Sequence, residues 1–270
     1  MASKRFDLYK RCFFILSGIS NPLGKTLTIE MCRRFKAGSV AVLIDDSEEN
    51  LQELKKELEF LENDVEIVCC DIGDWQKVSG ATFREILAAS VNNYIVDDFE
   101  LAFILHNEGL NATSKLIEPQ IAKDWKLYVQ ENLYAPVALN QEFLRFMHFD
   151  GVKKLCVNIT SSLQVKPIVY SSLMGSCKKA RDMYFRAMAA EEGRNGVTVL
   201  NYMPGILATH EPELDVNGNL VEVNELNMDE TLLNIPRVRP IQTTLKLINI
   251  LEDMSFISGH DLDYYDTYVL

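Results

Sequence analysis

The segment Leu16-Ser17-Gly18-Ile19-Ser20-Asn21-Pro22-Leu23-Gly24 follows an apolar run and opens a helical pattern. Glycines at such a junction let the backbone approach the pyrophosphate of a dinucleotide, which then rests on helix N–H groups. Gly18 and Gly24 meet that need. Pro22 lies between them. Proline is tolerated in a first helical turn, but it removes one N–H and adds a ring where a phosphate or ribose would come close. Weakened dinucleotide binding is expected, with the helix intact. A plain tight βα turn explains the same glycines, and both readings stand. Gly24-Lys25-Thr26 also resembles the end of a nucleoside triphosphate loop, but the gap between the glycines is one residue too long and no clear metal-binding acid follows.

Asp45 and Asp46 close the second apolar run. An acid there hydrogen-bonds the ribose 2′-hydroxyl of NAD, whereas an arginine accommodates the 2′-phosphate of NADP. Two carboxylates without a nearby cation favour NAD(H) over NADP(H) by charge. The same acids also suit the start of a helix, where negative charge is favourable. His106, His148, His210 and His260 have no metal-ligand spacing and no C-x-x-C pair occurs, so no metal site is expected. Ser161 lacks the flanking glycines of a nucleophile elbow, which argues against a hydrolase.

Positioning these residues requires a regular framework. Short apolar runs at 12–17, 39–44, 65–70, 100–106, 154–159 and 197–202 show little polar alternation, as expected of strands buried on both faces. Helical patterns over 47–61, 119–147 and 171–192 lie between them. In the first, Leu51, Leu54, Leu58 and Leu61 form one apolar face. Strand and helix alternation of this kind predicts a single α/β domain over 1–270, a doubly wound parallel sheet with helices on both faces. The stretch 210–239 breaks the pattern with Pro212, Gly218, Pro236 and many acids, and reads as a lid or loop over about 206–238. The tail 257–265 resumes a strand-like run.

A formal net charge of −12 disfavours nonspecific binding to nucleic acid or an anionic membrane. The apolar stretch after the basic residues 1–11 is too short for a signal-peptide core or a membrane span, so a soluble, cytoplasmic protein is expected. The six cysteines, Cys12, Cys32, Cys69, Cys70, Cys156 and Cys177, are expected to be buried free thiols.

The stretches Val157-Asn158-Ile159-Thr160-Ser161-Ser162, Lys179-Ala180-Arg181-Asp182-Met183, Asn201-Tyr202-Met203-Pro204-Gly205 and Ser258-Gly259-His260-Asp261-Leu262-Asp263-Tyr264-Tyr265-Asp266 resemble the short-chain dehydrogenases/reductases over nearly the whole chain. The last stretch resembles the C-terminal signature of the sepiapterin reductases within that family. The resemblance implies a Rossmann-type seven-stranded sheet in the order 3-2-1-4-5-6-7. It also implies a homodimer through the helices bearing Asn132 and Lys178, NADPH as cofactor, and reduction of pterin side-chain carbonyls in tetrahydrobiopterin synthesis. By position it implies catalytic roles for Ser161, Lys178 and Asn132. Implied cofactor contacts are Gly18, Ser20, Gly24, Asp45, Asp71, Asn107, Gly109, Lys178, Pro204 and Thr209. Implied substrate contacts are Ser161 and Asp263.

The family's mechanism uses a tyrosine to give a proton to the carbonyl as hydride arrives. A lysine one turn on lowers that tyrosine's pKa and holds the nicotinamide ribose, while a serine orients the carbonyl. The tyrosine and lysine share a helix face at i, i+4. Here the tyrosine's place is taken by Met174, and a thioether has no proton to give. Pro22 takes the place of the middle glycine of the loop. His106-Asn107-Glu108-Gly109 puts an acid where the family has alanine. Tyr170 lies eight residues before Lys178, roughly 12 Å along a helix, and His210 lies in the lid. Two functions follow from the resemblance. One is a sepiapterin-reductase-like oxidoreductase with weak or lost activity. The other is a catalytically silent protein that binds a pterin, a dinucleotide or a partner subunit and acts by regulation.

Overall fold

A computed structural model describes residues 6–61, 63–91, 98–109, 121–146, 152–161, 172–208 and 236–266. The apolar runs form strands β1 (Cys12–Ser17), β2 (Val40–Asp45), β3 (Glu66–Asp71), β4 (Leu101–His106), β5 (Lys153–Ile159), β6 (Val197–Met203) and β7 (Asp261–Asp263). All pair in parallel, in the order β3-β2-β1-β4-β5-β6-β7. The helices are α1 (Pro22–Cys32), α2 (Glu48–Leu58), α3 (Gly80–Ser90), α4 (Ile121–Val129), α5 (Ala135–Phe146), α6 (Ser172–Glu192) and α7 (Pro240–Asp253).

Both sheet faces are covered, which explains the unbroken apolar strands. Phe14, Leu16, Leu43, Phe103 and Leu105 pack on one face with Leu27 of α1, Leu51 of α2 and Leu247 of α7. Phe13, Ile15, Val42, Ile44 and Ile104 pack on the other with Phe83 of α3, Phe143 of α5 and Phe185 of α6. β3 departs from the expected full burial, and its central residues, Cys69 and Cys70 included, are half-buried. It is one of the two edge strands of the order above, so only one neighbour screens it. The strand-like tail shortens to three residues in β7.

The helix expected over 119–147 is interrupted. Residues Gln130–Tyr134 form a π-turn between α4 and α5. Pro136 has no N–H to offer the carbonyl of Asn132, four residues earlier, and its ring crowds that carbonyl. The Asn132 side chain meanwhile donates to the Tyr128 carbonyl at 3.0 Å. The turn therefore widens at Asn132, as π-turns do at many functional positions.

The strand order reverses between β1 and β4, opening a crevice beyond their C-terminal ends. Ser17 and His106 are paired there. No described helix is long and apolar enough to cross a membrane.

Candidate active site

The β1–α1 loop is bound mainly by the protein itself. Gly18 has φ +81°, and a Cβ there would fall 2.5 Å from the Glu108 nitrogen. A Cβ on Gly24 would fall 2.8 Å from the Asn107 amide nitrogen. That amide donates to the Gly18 carbonyl at 2.7 Å and to the Asn21 side chain at 3.3 Å. Asn21 caps α1 by accepting from the Gly24 N–H at 2.9 Å. Backbone packing alone thus requires both glycines, and Asn107 serves as the loop's brace. Pro22 is exposed at the first position of α1.

Asp45, at the end of β2, is buried with its carboxylate turned into this loop. It accepts from the Ile19 N–H at 2.7 Å, the Ser20 N–H at 3.1 Å and the Ser20 hydroxyl. These are donors that an incoming phosphate would use. Its neighbour Asp46 has its pKa raised by burial and then by the Asp45 charge. Glu131, beside Asn132, is pushed up to about 7 by burial, with Asp46, Asp74 and Glu108 adding to the effect. This side of the crevice is acidic. Asp71, exposed at the end of β3, accepts from the Gly73 N–H at 2.8 Å.

The second half of the crevice gathers Gly109, Asn132, Lys178 and the end of β5. A Cβ on Gly109 would fall 2.9 Å from Asn132 Oδ1 and 3.2 Å from Lys178 Nζ. Lys178 is buried on α6, and its ammonium donates to the Ile159 carbonyl at 3.2 Å, two residues before the half-buried Ser161. Burial, then the Arg181 guanidinium, pushes the Lys178 pKa down to about 7. Among the described residues, Asn132 Oδ1 and Thr160 Oγ1 are buried without a hydrogen-bond partner. Buried polar atoms are nearly always paired, so the Asn132 oxygen, which faces Gly109 together with the Lys178 ammonium, marks a place for a polar ligand or water.

Met174, one turn before Lys178, is buried with Tyr128, Leu173 and Cys177, against Trp125 and Val129. Tyr128 brings a phenol into this cluster. Burial, with Cys177 and Glu131, holds that phenol well above the ordinary tyrosine range, the wrong direction for giving a proton at neutral pH. Phe185 and Met188 of α6 are buried and Met183 is exposed.

Glu108 turns inward, away from the crevice. It forms an ion pair with Arg181 at 3.3 Å, contacts His106 Nδ1 at 3.3 Å and accepts from the Ser17 hydroxyl. Burial alone would raise its pKa, but Arg181 and His106 outweigh that and hold it down at about 2. Arg181 also donates to the carbonyls of Glu108 at 3.1 Å and Asn132 at 3.4 Å, and to Asn158 Oδ1 at 2.7 Å. The Asn132 carbonyl is the one Pro136 leaves without its usual helical donor. Arg181 is thus the hub that sequence reasoning missed. The signal was its place in the buried stripe of α6, where Met174, Cys177, Lys178, Arg181, Phe185 and Met188 share a face.

Pro204 follows β6 and is buried. Asp263, at the end of β7, accepts from the Tyr265 N–H at 3.0 Å, and its pKa is raised, chiefly by burial. Thr209, His210, Tyr170 and His148 lie outside the described residues, as does the lid expectation apart from 206–208 and 236–238.

The short chain dehydrogenase family model matches residues 15–214. Sepiapterin reductase of Xenopus laevis is 30% identical over 261 residues, covering 93% of this chain and 95% of the relative. That of Mus musculus is 27% identical over 267 residues, covering 93% and 96%. A short-chain dehydrogenase/reductase from Serratia marcescens shares the fold with a TM-score of 0.70 at 15% identity, covering 94% of this chain and 96% of that one.

Proposed function

The chain belongs to the short-chain dehydrogenase family, and we propose that it is a sepiapterin-reductase-like oxidoreductase of pterin side-chain carbonyls whose turnover is slowed by the missing phenol. The observation that carries this reading is the convergence of Lys178, Asn132 and Gly109 beside β5, while Met174 packs away among apolar neighbours. A nicotinamide dinucleotide would supply hydride. Lys178 and Asn132, with its orphaned oxygen, fit the ribose beside the nicotinamide, and Gly18 and Gly24 keep the loop compact. Ser161 would orient the carbonyl and Asp263 would receive the N–H groups of the pterin ring.

The other end of the crevice fits NAD(H) better than NADP(H). The donors of Ile19 and Ser20 are already taken by Asp45, and a 2′-phosphate would face the charges of Asp45 and Asp46. Asp45→Ser is therefore expected to shift the NADPH-to-NADH affinity ratio toward NADPH by about tenfold or more, the equivalent of about 1.4 kcal/mol. Titration of both dinucleotides checks this, and an unchanged ratio removes Asp45 as the discriminator.

Among the described groups at the convergence, the Lys178 ammonium is the one placed and tuned to give a proton. With its pKa lowered to about 7, the charged donor form is lost as pH rises through neutrality. The initial rate of NADH-dependent sepiapterin reduction is expected to fall about tenfold per pH unit above 7. A rate constant from pH 6 to 9 contradicts a Lys178 donor. If neither dinucleotide binds, the reductase reading fails and the silent, ligand-binding reading takes its place. Pairing of two copies through the helices of Asn132 and Lys178 belongs to the same proposal. Tyr134 and Met183 are exposed there.

A further inference from the structure

Beyond β7 the chain makes a tight turn. The Asp263 N–H donates to the Asp266 carboxylate at 2.9 Å, and the Asp266 N–H returns to the Asp263 carbonyl at 3.0 Å. Lys246 of α7 donates to the carbonyl of Asp266 at 2.6 Å and to that of Tyr264, and its ammonium stands over the Tyr264 ring. The Tyr264 and Tyr265 rings meet edge to face at 5.4 Å.

The Tyr265 hydroxyl reaches two further segments. It donates to the Pro236 carbonyl at 2.6 Å and accepts from the Ile206 N–H at 3.1 Å. Those segments also join each other. Leu207 and Val238 form a parallel bridge, with Ala208 N–H to the Val238 carbonyl at 2.9 Å and Val238 N–H to the Ile206 carbonyl at 2.8 Å. Gly205, at φ +79°, brings the first segment so close that a Cβ would fall 3.2 Å from the Tyr265 ring and 3.0 Å from Val238. One side chain thus touches both segments, while its own N–H holds the Asp263 carboxylate.

We propose that Tyr265 is a positioning residue for the substrate: by binding Ile206, Pro236 and Asp263 at once, it makes uptake of a pterin's ring N–H groups at Asp263 and the fixing of 206–208 against 236–238 a single equilibrium. The inference rests on the reading of Asp263 as the pterin acceptor. The carboxylate that engages the ligand is held by the same residue that clamps the two segments. A ligand that orders Asp263 therefore stabilises the clamp, and a loosened clamp weakens the ligand.

Amide hydrogen exchange by NMR and pterin titration by intrinsic fluorescence test this, using sepiapterin as the probe. Without ligand, Tyr265→Phe is expected to speed exchange of the Ile206 amide about tenfold or more while Val199 and Leu200 in β6 stay protected. Asp263→Ala, which removes none of the bonds of Ile206, Ala208 or Val238, should also speed exchange at those three amides. With sepiapterin, the wild type gains protection at Ile206, and Tyr265→Phe binds sepiapterin about tenfold more weakly. Wild-type exchange in Asp263→Ala overturns the coupling, and so does wild-type sepiapterin affinity in Tyr265→Phe. A wild type that takes no sepiapterin overturns the pterin reading of Asp263, and the ligand-free exchange result still decides the coupling.

Discussion

Met174→Tyr is expected to raise the rate of NADH-dependent sepiapterin reduction by about 10²–10⁴-fold, the usual worth of a positioned general acid. The position is one helical turn before Lys178 on the same face of α6, so a phenol there would lie beside an ammonium that lowers its pKa. The gain has a cost in packing. Met174 is enclosed by Tyr128, Leu173 and Cys177, and a larger ring in a filled cluster costs about 1–3 kcal/mol. Cys177→Ala in the same chain makes room and should recover part of that loss. Steady-state kinetics on the single and double variants provide the measurement. An unchanged rate in a folded, dinucleotide-binding Met174→Tyr protein would mean that the phenol is not the missing part. Tyr128→Phe is the control: it should leave the wild-type rate unchanged, and a large loss would move the proton donor from Lys178 to Tyr128.

The second large effect concerns stability. Glu108→Ala leaves the Arg181 guanidinium fully buried without its counter-charge. Breaking a buried pair from one side costs about 3–5 kcal/mol. For a chain of this size that lowers Tm by roughly 6–20 °C. The double variant Glu108→Ala/Arg181→Met removes both charges and should regain part of the loss: it ends the unpaired charge but leaves the acceptors that Arg181 serves at Glu108, Asn132 and Asn158 without their donor. Thermal unfolding of the three proteins decides this, and a Tm within about 2 °C of wild type for the single variant removes the pair as a structural element.

The same pair sets an acid limit. Glu108 titrates at about 2 in the folded chain, against about 4.3 when unfolded. A depressed carboxyl pKa contributes stability that is fully present above the unfolded value. That stability is lost as pH falls from about 4.3 toward 2 and is worth about 3 kcal/mol in all. Glu108→Gln should flatten the wild type's loss of stability in that window, measured as the urea midpoint at pH 5 and pH 3.

Much of the framework was legible along the chain. Six apolar runs matched six strands because burial on both faces leaves a mark that needs no knowledge of partners. Leu51, Leu54 and Leu58 of α2 are buried on one face, as their spacing predicted. The acid in His106-Asn107-Glu108-Gly109 stood out as a departure from the family. Its consequence did not, because direction is not written in spacing. Glu108 points inward to Arg181, 73 residues away in sequence.

The sequence by itself determined the parallel α/β scaffold, the glycine loop and the loss of a proton-bearing ring at Met174. Each is a property of one residue or of one short periodic run. The tertiary structure alone decided that Asp45 turns into the loop, that β3 is an exposed edge, that Pro136 and Asn132 open a π-turn, and that Arg181 ties β4, β5 and the π-turn together. These depend on which elements become neighbours and on where their side chains then point. Both are set by long-range packing, in which segments far apart in the chain satisfy each other's buried charges and hydrogen bonds.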